Sequence, residues 1–297
     1  MNSSAPTSAH TTADATTKPQ KSFGGRWALA IVVLTLAFVI MPFLFWNATW
    51  FGRPITDAQI AKALADRSHP REIQHVLSQF ETRIERNDPT VHEWYPQIVA
   101  LSKDPIEEIR VTDAWVMGQD NTAPEFHQAL LPMLNDPNPM VQRNAALSLV
   151  RFQDDSGHGQ IVSMLQPYVM PAPQAGILST RLKPGDTVNP GTLVAHIESA
   201  GNSGAAGKSN EVRANVPGTV DHWLVKDGTT VSAGQPILIL APNESMAWEA
   251  LRALFLTGRP EDLPYLNQFV RGIDGMSPQL AQQAQATSRA IQARATQ

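Results

Sequence analysis

Two stretches decide how this chain reads: GILSTRLKPGDTVNPGTLVAHI, residues 176–197, and GTVDHWLVKDGTTVSAGQPILIL, residues 218–240. They are copies of one pattern. Gly185 matches Gly228, Val188 matches Val231 and Gly191 matches Gly234, each pair 43 positions apart. Pro184-Gly185 suits a type II turn and Asp227-Gly228 a tight hairpin turn, because both need a residue at ease with positive φ. Val188 and Val231 are then placed to point into a small core between paired strands. Composition changes sharply at Pro171, and residues 168–243 read as an all-β module built from two like halves.

On either side of this module the spacing is helical. Residues 51–167 show no strand-like alternation. Ile73, Val76, Leu77, Phe80 and Ile84 fall on one helical face, and Asp57 is a candidate cap for the helix before them. Two segments repeat here: DPIEEIRVTDAWVMG from Asp104 and DPNPMVQRNAALSLV from Asp136, 32 residues apart. Each has Asp where a helix N-terminus needs an acceptor, and Pro in the first turn, where a missing N–H costs nothing. Ile109 then aligns with Val141, Ala114 with Ala146 and Met117 with Leu149. Each copy follows another amphipathic stretch, so helix pairs repeat at a fixed interval, as in an α-solenoid. An ordinary helical bundle is the alternative. After the β module, Asn243 or Ser245 is placed to cap a helix with Met246, Ala250, Leu251 and Leu254 on one face. Met164-Leu165 echoes Met133-Leu134, so the β module reads as inserted between the two helices of a third repeat, with residues 244–297 completing the helical domain.

Farther upstream, residues 27–46 run WALAIVVLTLAFVIMPFLFW without a charge. Twenty residues at about 1.5 Å each match a bilayer core of about 30 Å. Trp27, Trp46 and Trp50 stand where interfacial anchors would lie. A transmembrane helix over 27–50 is therefore expected, behind a disordered tail over 1–26. A cleaved signal peptide fits less well, since Phe43 to Trp46 are bulky where small residues are needed. Lys18, Lys21 and Arg26 favour a cytoplasmic N-terminus in the inner membrane and a periplasmic remainder.

The repeated helices resemble HEAT repeats of the DPxxxVRxxAAxAL type: the first copy keeps Arg110, while the second has Gln142 there and Arg143 one place later. The duplicated strands resemble the biotinyl/lipoyl domain, a flattened barrel-sandwich, in the form also found as the core of membrane fusion (HlyD-type) adaptors. That resemblance implies one of three roles: cofactor carrier, export adaptor or cofactor-free structural module. Carriers present a lysine in a tight hairpin, within a motif such as DKA or MKM. Here the halves are joined by IESAGNSGAAGKSNEVRA, with Lys208 as its one lysine and no MKM. Lys208 is the candidate lipoyl attachment site. Classical adaptors have a long helical hairpin at this joint, and no amphipathic helix fits between Ser199 and Asn210.

No catalytic constellation emerges. The 297 residues contain no cysteine, which removes thiolate ligands and nucleophiles, and a net charge of −4 argues against nucleic-acid partners. The eight histidines show no HExxH spacing. Glu107 and Glu108 suit the positive end of a helix. The expectation is an α+β chain in three parts: a transmembrane helix, a HEAT-like α-solenoid and an inserted barrel-sandwich. It would be a membrane-anchored, non-catalytic adaptor or scaffold for protein partners, without cofactor or metal. The alternatives are an adaptor subunit of an export complex and a lipoyl carrier using Lys208.

Overall fold

The computed structural model describes residues 24–48, 55–198 and 209–296. The chain divides after Pro54 into two units.

The first unit holds α1, Gly24–Ala48, with Pro42 inside it. Its described side chains, Leu29 and Ile31 to Phe43, are exposed. Among the described residues no helix is long and apolar enough to cross a membrane. The expected transmembrane helix over 27–50 is thereby overturned. So is the single-pass inner-membrane placement with a periplasmic remainder. Of the tail expected over 1–26, Gly24 to Arg26 already belong to α1, and residues 1–23 lie outside the described residues. The side chains of Trp27 and Trp46, and Trp50 entirely, also lie outside them.

The second unit is α+β and has two cores. Its helices come as pairs: α2 (Asp57–Ala65) with α3 (Pro70–Glu85), α4 (Tyr95–Leu101) with α5 (Glu107–Met117), and α6 (Pro124–Met133) with α7 (Pro139–Arg151). Then follow α8 (His158–Ser163), α9 (Glu244–Thr257), α10 (Leu263–Val270) and α11 (Pro278–Ala295). The longer helices α3, α5, α7, α9 and α11 pack side by side in that order, and the shorter ones lie against them. One apolar core runs through them all, from Ile60 and Phe80 to Phe269 and Ile291. The five apolar residues expected on one face of α3 are all buried in it.

Local chemistry explains where these helices start. Thr56, not Asp57, caps α2: its hydroxyl accepts from the Gln59 N–H, and the Gln59 side chain accepts from the Thr56 N–H. Asp104 and Asp136 act one step ahead of their helices, accepting from the Ile106 and Asn138 N–H groups. Asn138 then caps α7 through Met140, and Asn243 caps α9 through Ser245 in the same way. The helices approach closely enough to require glycine just past α5: a Cβ on Gly118 would lie 2.3 Å from the Ser148 hydroxyl and 3.0 Å from the Ser148 Cα. Gly118→Ala is expected to cost about 1–3 kcal/mol through overpacking, read as a lower urea midpoint at unchanged slope.

Between α8 and α9 lies the β region, with a core of its own around Leu178, Val188, Ile197, Val220, Val231 and Leu240. Its strands are β1 (Tyr168–Pro171), β2 (Gly176–Thr180), β3 (Thr187–Val188), β4 (Leu193–Glu198), β5 (Ser209–Arg213), β6 (Gly218–Trp223), β7 (Thr230–Val231) and β8 (Pro236–Pro242). They form two four-stranded sheets, β1-β8-β6-β3 and β5-β4-β2-β7. Each half lends its short strand to the other: β3 pairs with β6, and β7 with β2. The turn glycines, at φ 93° for Gly185 and 76° for Gly228, reach across in the same way. The Gly185 N–H donates to Val220 O and the Gly228 N–H to Leu178 O, both at 2.8 Å. Gly191 donates to Ala214 O and Gly234 to Ala172 O, also at 2.8 Å. The sequence duplication is thus a quasi-twofold exchange of strands and turn bonds, in which neither half is complete alone. At its entry and exit, Tyr168 pairs with Leu240, so the chain enters and leaves the β region side by side.

Candidate functional site

Three places hold groups with chemistry to offer. The first is the joint between β4 and β5. The two strands pair up to Glu198 and Ser209, leaving ten residues, 199–208, between the paired ends. Lys208 lies outside the described residues, as do the loop's glycines.

The second is the face where α7 meets the β region. Met140 packs on the β core. Arg143 is buried, with its guanidinium 5.9 Å from the Tyr168 ring centroid. Burial pushes its pKa down, and Tyr168 opposes that shift. Tyr168 in turn accepts from the Asn215 amide at 3.0 Å. Arg143 thus meets the β region through a cation–π contact, while the Asn215 bond holds Tyr168 from within that region.

The third is the helix stack itself, which is laced by two series of polar contacts. On the side of the shorter helices, an aspartate closes its own turn and also accepts from the preceding pair. Tyr95 donates to Asp120 at 2.6 Å, His127 meets Asp154 at 2.7 Å and His158 meets Asp262 at 3.0 Å. Burial raises the Asp120 pKa, but bonds from Thr122 and Tyr95 outweigh it and hold the carboxyl low. Asp154 is held low chiefly by Ser156 and then by His127. The series passes over the β region, since 104 residues separate His158 from Asp262.

Between the longer helices, side chains donate to the neighbouring helix's carbonyls. Asn144 donates to Val111 O, Ser148 to Ala114 O and Arg151 to Gly118 O. Thr287 donates to Leu251 O, and Arg294 to Leu254, Phe255 and Gly258. Arg110 joins successive pairs directly: Nε and Nη2 reach both Asp136 oxygens at 2.7 and 3.0 Å, and Nη1 reaches Asp104 O at 2.7 Å. In the next copy Gln142 keeps only the local bond, to Asp136 O.

Two side chains here carry buried atoms without a partner, His158 at Nδ1 and Asp113 at both oxygens. Asp113, on α5, is fully buried, and neither carboxyl oxygen has a hydrogen-bond partner. Burial pushes its pKa well above the ordinary range, and the charge of Asp104 adds to the shift. Nothing in its spacing set it apart, although both Asp104-type segments could be aligned and Ala145 stands at its place in the second copy. Of the residues weighed from sequence, Glu107 accepts from the Asn138 amide, the Glu108 carbonyl accepts from Gln74, and the His222 ring meets Asp221. Among the described residues no three His, Asp or Glu side chains are grouped to hold a metal.

The geometry agrees with two family matches. Residues 168–240 are similar to the family described as Biotin-requiring enzyme, the biotinyl/lipoyl domain. Residues 128–156 are similar to the HEAT repeat. The chain therefore carries elements of both kinds, and HEAT repeats in general mediate protein–protein interaction. No curated protein matches the chain.

Proposed function

We propose that this chain is a non-catalytic binding protein: its HEAT-like helix pairs hold a protein partner, and its biotinyl/lipoyl-like module is a structural insertion, not a carrier. The observation that carries this reading is the β4–β5 joint. A carrier must present its lysine in a fixed position to the modifying enzyme and then to its client. Here the paired Glu198 and Ser209 are separated by ten residues with three glycines and two serines, a longer joint than the tight lysine hairpin of the carriers and without their MKM motif. A complete HlyD-type adaptor is not favoured either, since ten residues are too few for a long helical hairpin at that joint. The mutual exchange of strands gives the module a hydrogen-bonded frame of its own. The reading places the module's boundaries at residues 168–243.

Intact-mass measurement of the full chain from cells that make lipoyl and biotinyl ligases tests this. The expected result is the unmodified mass. A mass increase equal to a lipoyl or biotinyl group, lost on Lys208→Arg, would overturn the reading in favour of a carrier.

A further inference from the structure

The series of bonds between the longer helices has one gap. It joins α5 to α7 and α9 to α11, but among the described residues no side-chain hydrogen bond joins α7 to α9. The cause lies in α9. Counting from the caps Asn138 and Asn243, the α7 donors Asn144, Ser148 and Arg151 correspond to Glu249, Ala253 and Leu256. Neither Ala253 nor Leu256 has a polar side chain, and Glu249 as a carboxylate only accepts. In α11, counted from Ser277, the first two of these positions are again polar, Gln283 and Thr287, and the third is Ala290.

A cleft of about 650 Å³ opens at this gap, lined by Leu147 and Val150 of α7 and by Ala253 and Leu256 of α9. Those four side chains give it apolar surface, and Leu256 is 62% exposed. Its rim carries two guanidinium groups, Arg151 and Arg252, and one carboxylate, Glu249. Arg151 is held over Trp115, 5.4 Å from the ring centroid, and by Gly118 O. The Arg252 side chain is 61% exposed and touches Glu249 only at 3.8 Å. The cleft thus joins an unfilled apolar slot to an excess of positive charge, one arginine of which is already fixed in place.

We infer that the cleft between α7 and α9 docks an acidic segment of a protein partner, which seats a large apolar side chain against Leu147 and Leu256 and sets carboxylates on Arg151 and Arg252. The inference rests on the protein-binding reading above and names the chemistry of the partner. Apolar contact supplies the affinity, and the arginines select the sign of charge and speed the encounter.

The test uses the full chain and three labelled peptides of sixteen residues. One carries leucines on one helical face and glutamates elsewhere, the second has lysines in place of the glutamates, and the third keeps the glutamates with serines for leucines. Fluorescence anisotropy is expected to give binding of the leucine–glutamate peptide about tenfold or more tighter than either control. Arg252→Glu and Leu256→Ser, both at exposed positions, should each weaken it by about tenfold, while Arg71→Glu on α3 should not. Equal binding of the glutamate and lysine peptides, or binding unmoved by both variants, overturns the cleft as the site. A lipoyl or biotinyl adduct in the mass measurement instead overturns the parent reading, whatever the peptides do.

Discussion

Asp113→Ala is expected to make the protein more stable at neutral pH, by about 1–3 kcal/mol, which is the cost of burying a polar group without a hydrogen bond. Asp113 is fully enclosed and its two oxygens meet no donor. The corresponding helices tolerate alanine there: Ala145 in α7 and Ala250 in α9 are both fully buried. A rise in melting temperature of about 2–4 °C per kcal/mol is the readout for a unit of this size. The pH dependence identifies the cause. Burial, aided by the Asp104 charge, raises the folded pKa well above the 3.8 of a free carboxyl. Above that ordinary value the folded state holds a proton that the unfolded chain has released, so stability falls as pH rises until the folded pKa is passed. The gain from Asp113→Ala should therefore be smallest near pH 4 and grow toward neutral. The low-shifted carboxyls Asp120 and Asp154 act in the opposite sense, losing their contribution as pH falls through their folded values. Thermal melts of both proteins from pH 4 to 8 separate the two effects. A difference that is absent, or flat with pH, would show that Asp113 has a partner after all.

What the sequence revealed depended on how far each feature reaches along the chain. The β region was legible because its signal is local and doubled: Gly185 and Gly228 sit at turns that demand positive φ, and the buried Val188 and Val231 recur at the same spacing. The helix pairs were legible from Asp104 and Asp136 and the apolar residues behind them, although the capping atom proved to be on Asn138 in the second copy. The features that bear on binding are long-range and were not legible. That Ser148 and Asn144 bond across to α5 while Ala253 of α9 offers no such bond to α7 depends on which helix lies beside which, and the β region separates α7 from α9 in sequence. A buried Asp113 looks in sequence like any polar residue in a helix. The apolar run around Val32 and Phe38 shows the converse error: hydropathy alone predicted a span that the described helix does not provide. Lys208, the one residue for which the carrier reading made a specific claim, lies in the joint where the resemblance to the carriers is weakest.

The link that should matter most to the helix stack is Arg110, and Arg110→Ala is expected to cost about 3–5 kcal/mol, the range for removing one partner of a buried ion pair. Its guanidinium bonds both oxygens of Asp136 and the Asp104 carbonyl, with side-chain exposures of 12% for Arg110 and 9% for Asp136. The pairing with Asp136 also raises the Arg110 pKa, so the charge persists across the accessible pH range. Removing the arginine leaves the Asp136 carboxylate with the Asn138 N–H and little solvent. The second copy shows what a partial replacement does. Gln142 keeps the bond to the carbonyl six residues earlier, at 2.6 Å, but among the described residues makes no bond to an aspartate side chain of the next pair. Arg110→Gln should therefore recover part of the loss, the part due to the Asp104 carbonyl, and leave the part due to Asp136. Adding Asp136→Asn to Arg110→Gln removes the stranded charge, so the double variant should be less destabilised than the sum of its single variants. Urea denaturation of the four proteins measures each step. Strict additivity would mean that Arg110 acts through the Asp104 carbonyl alone, and that successive helix pairs are joined by packing without this ion pair.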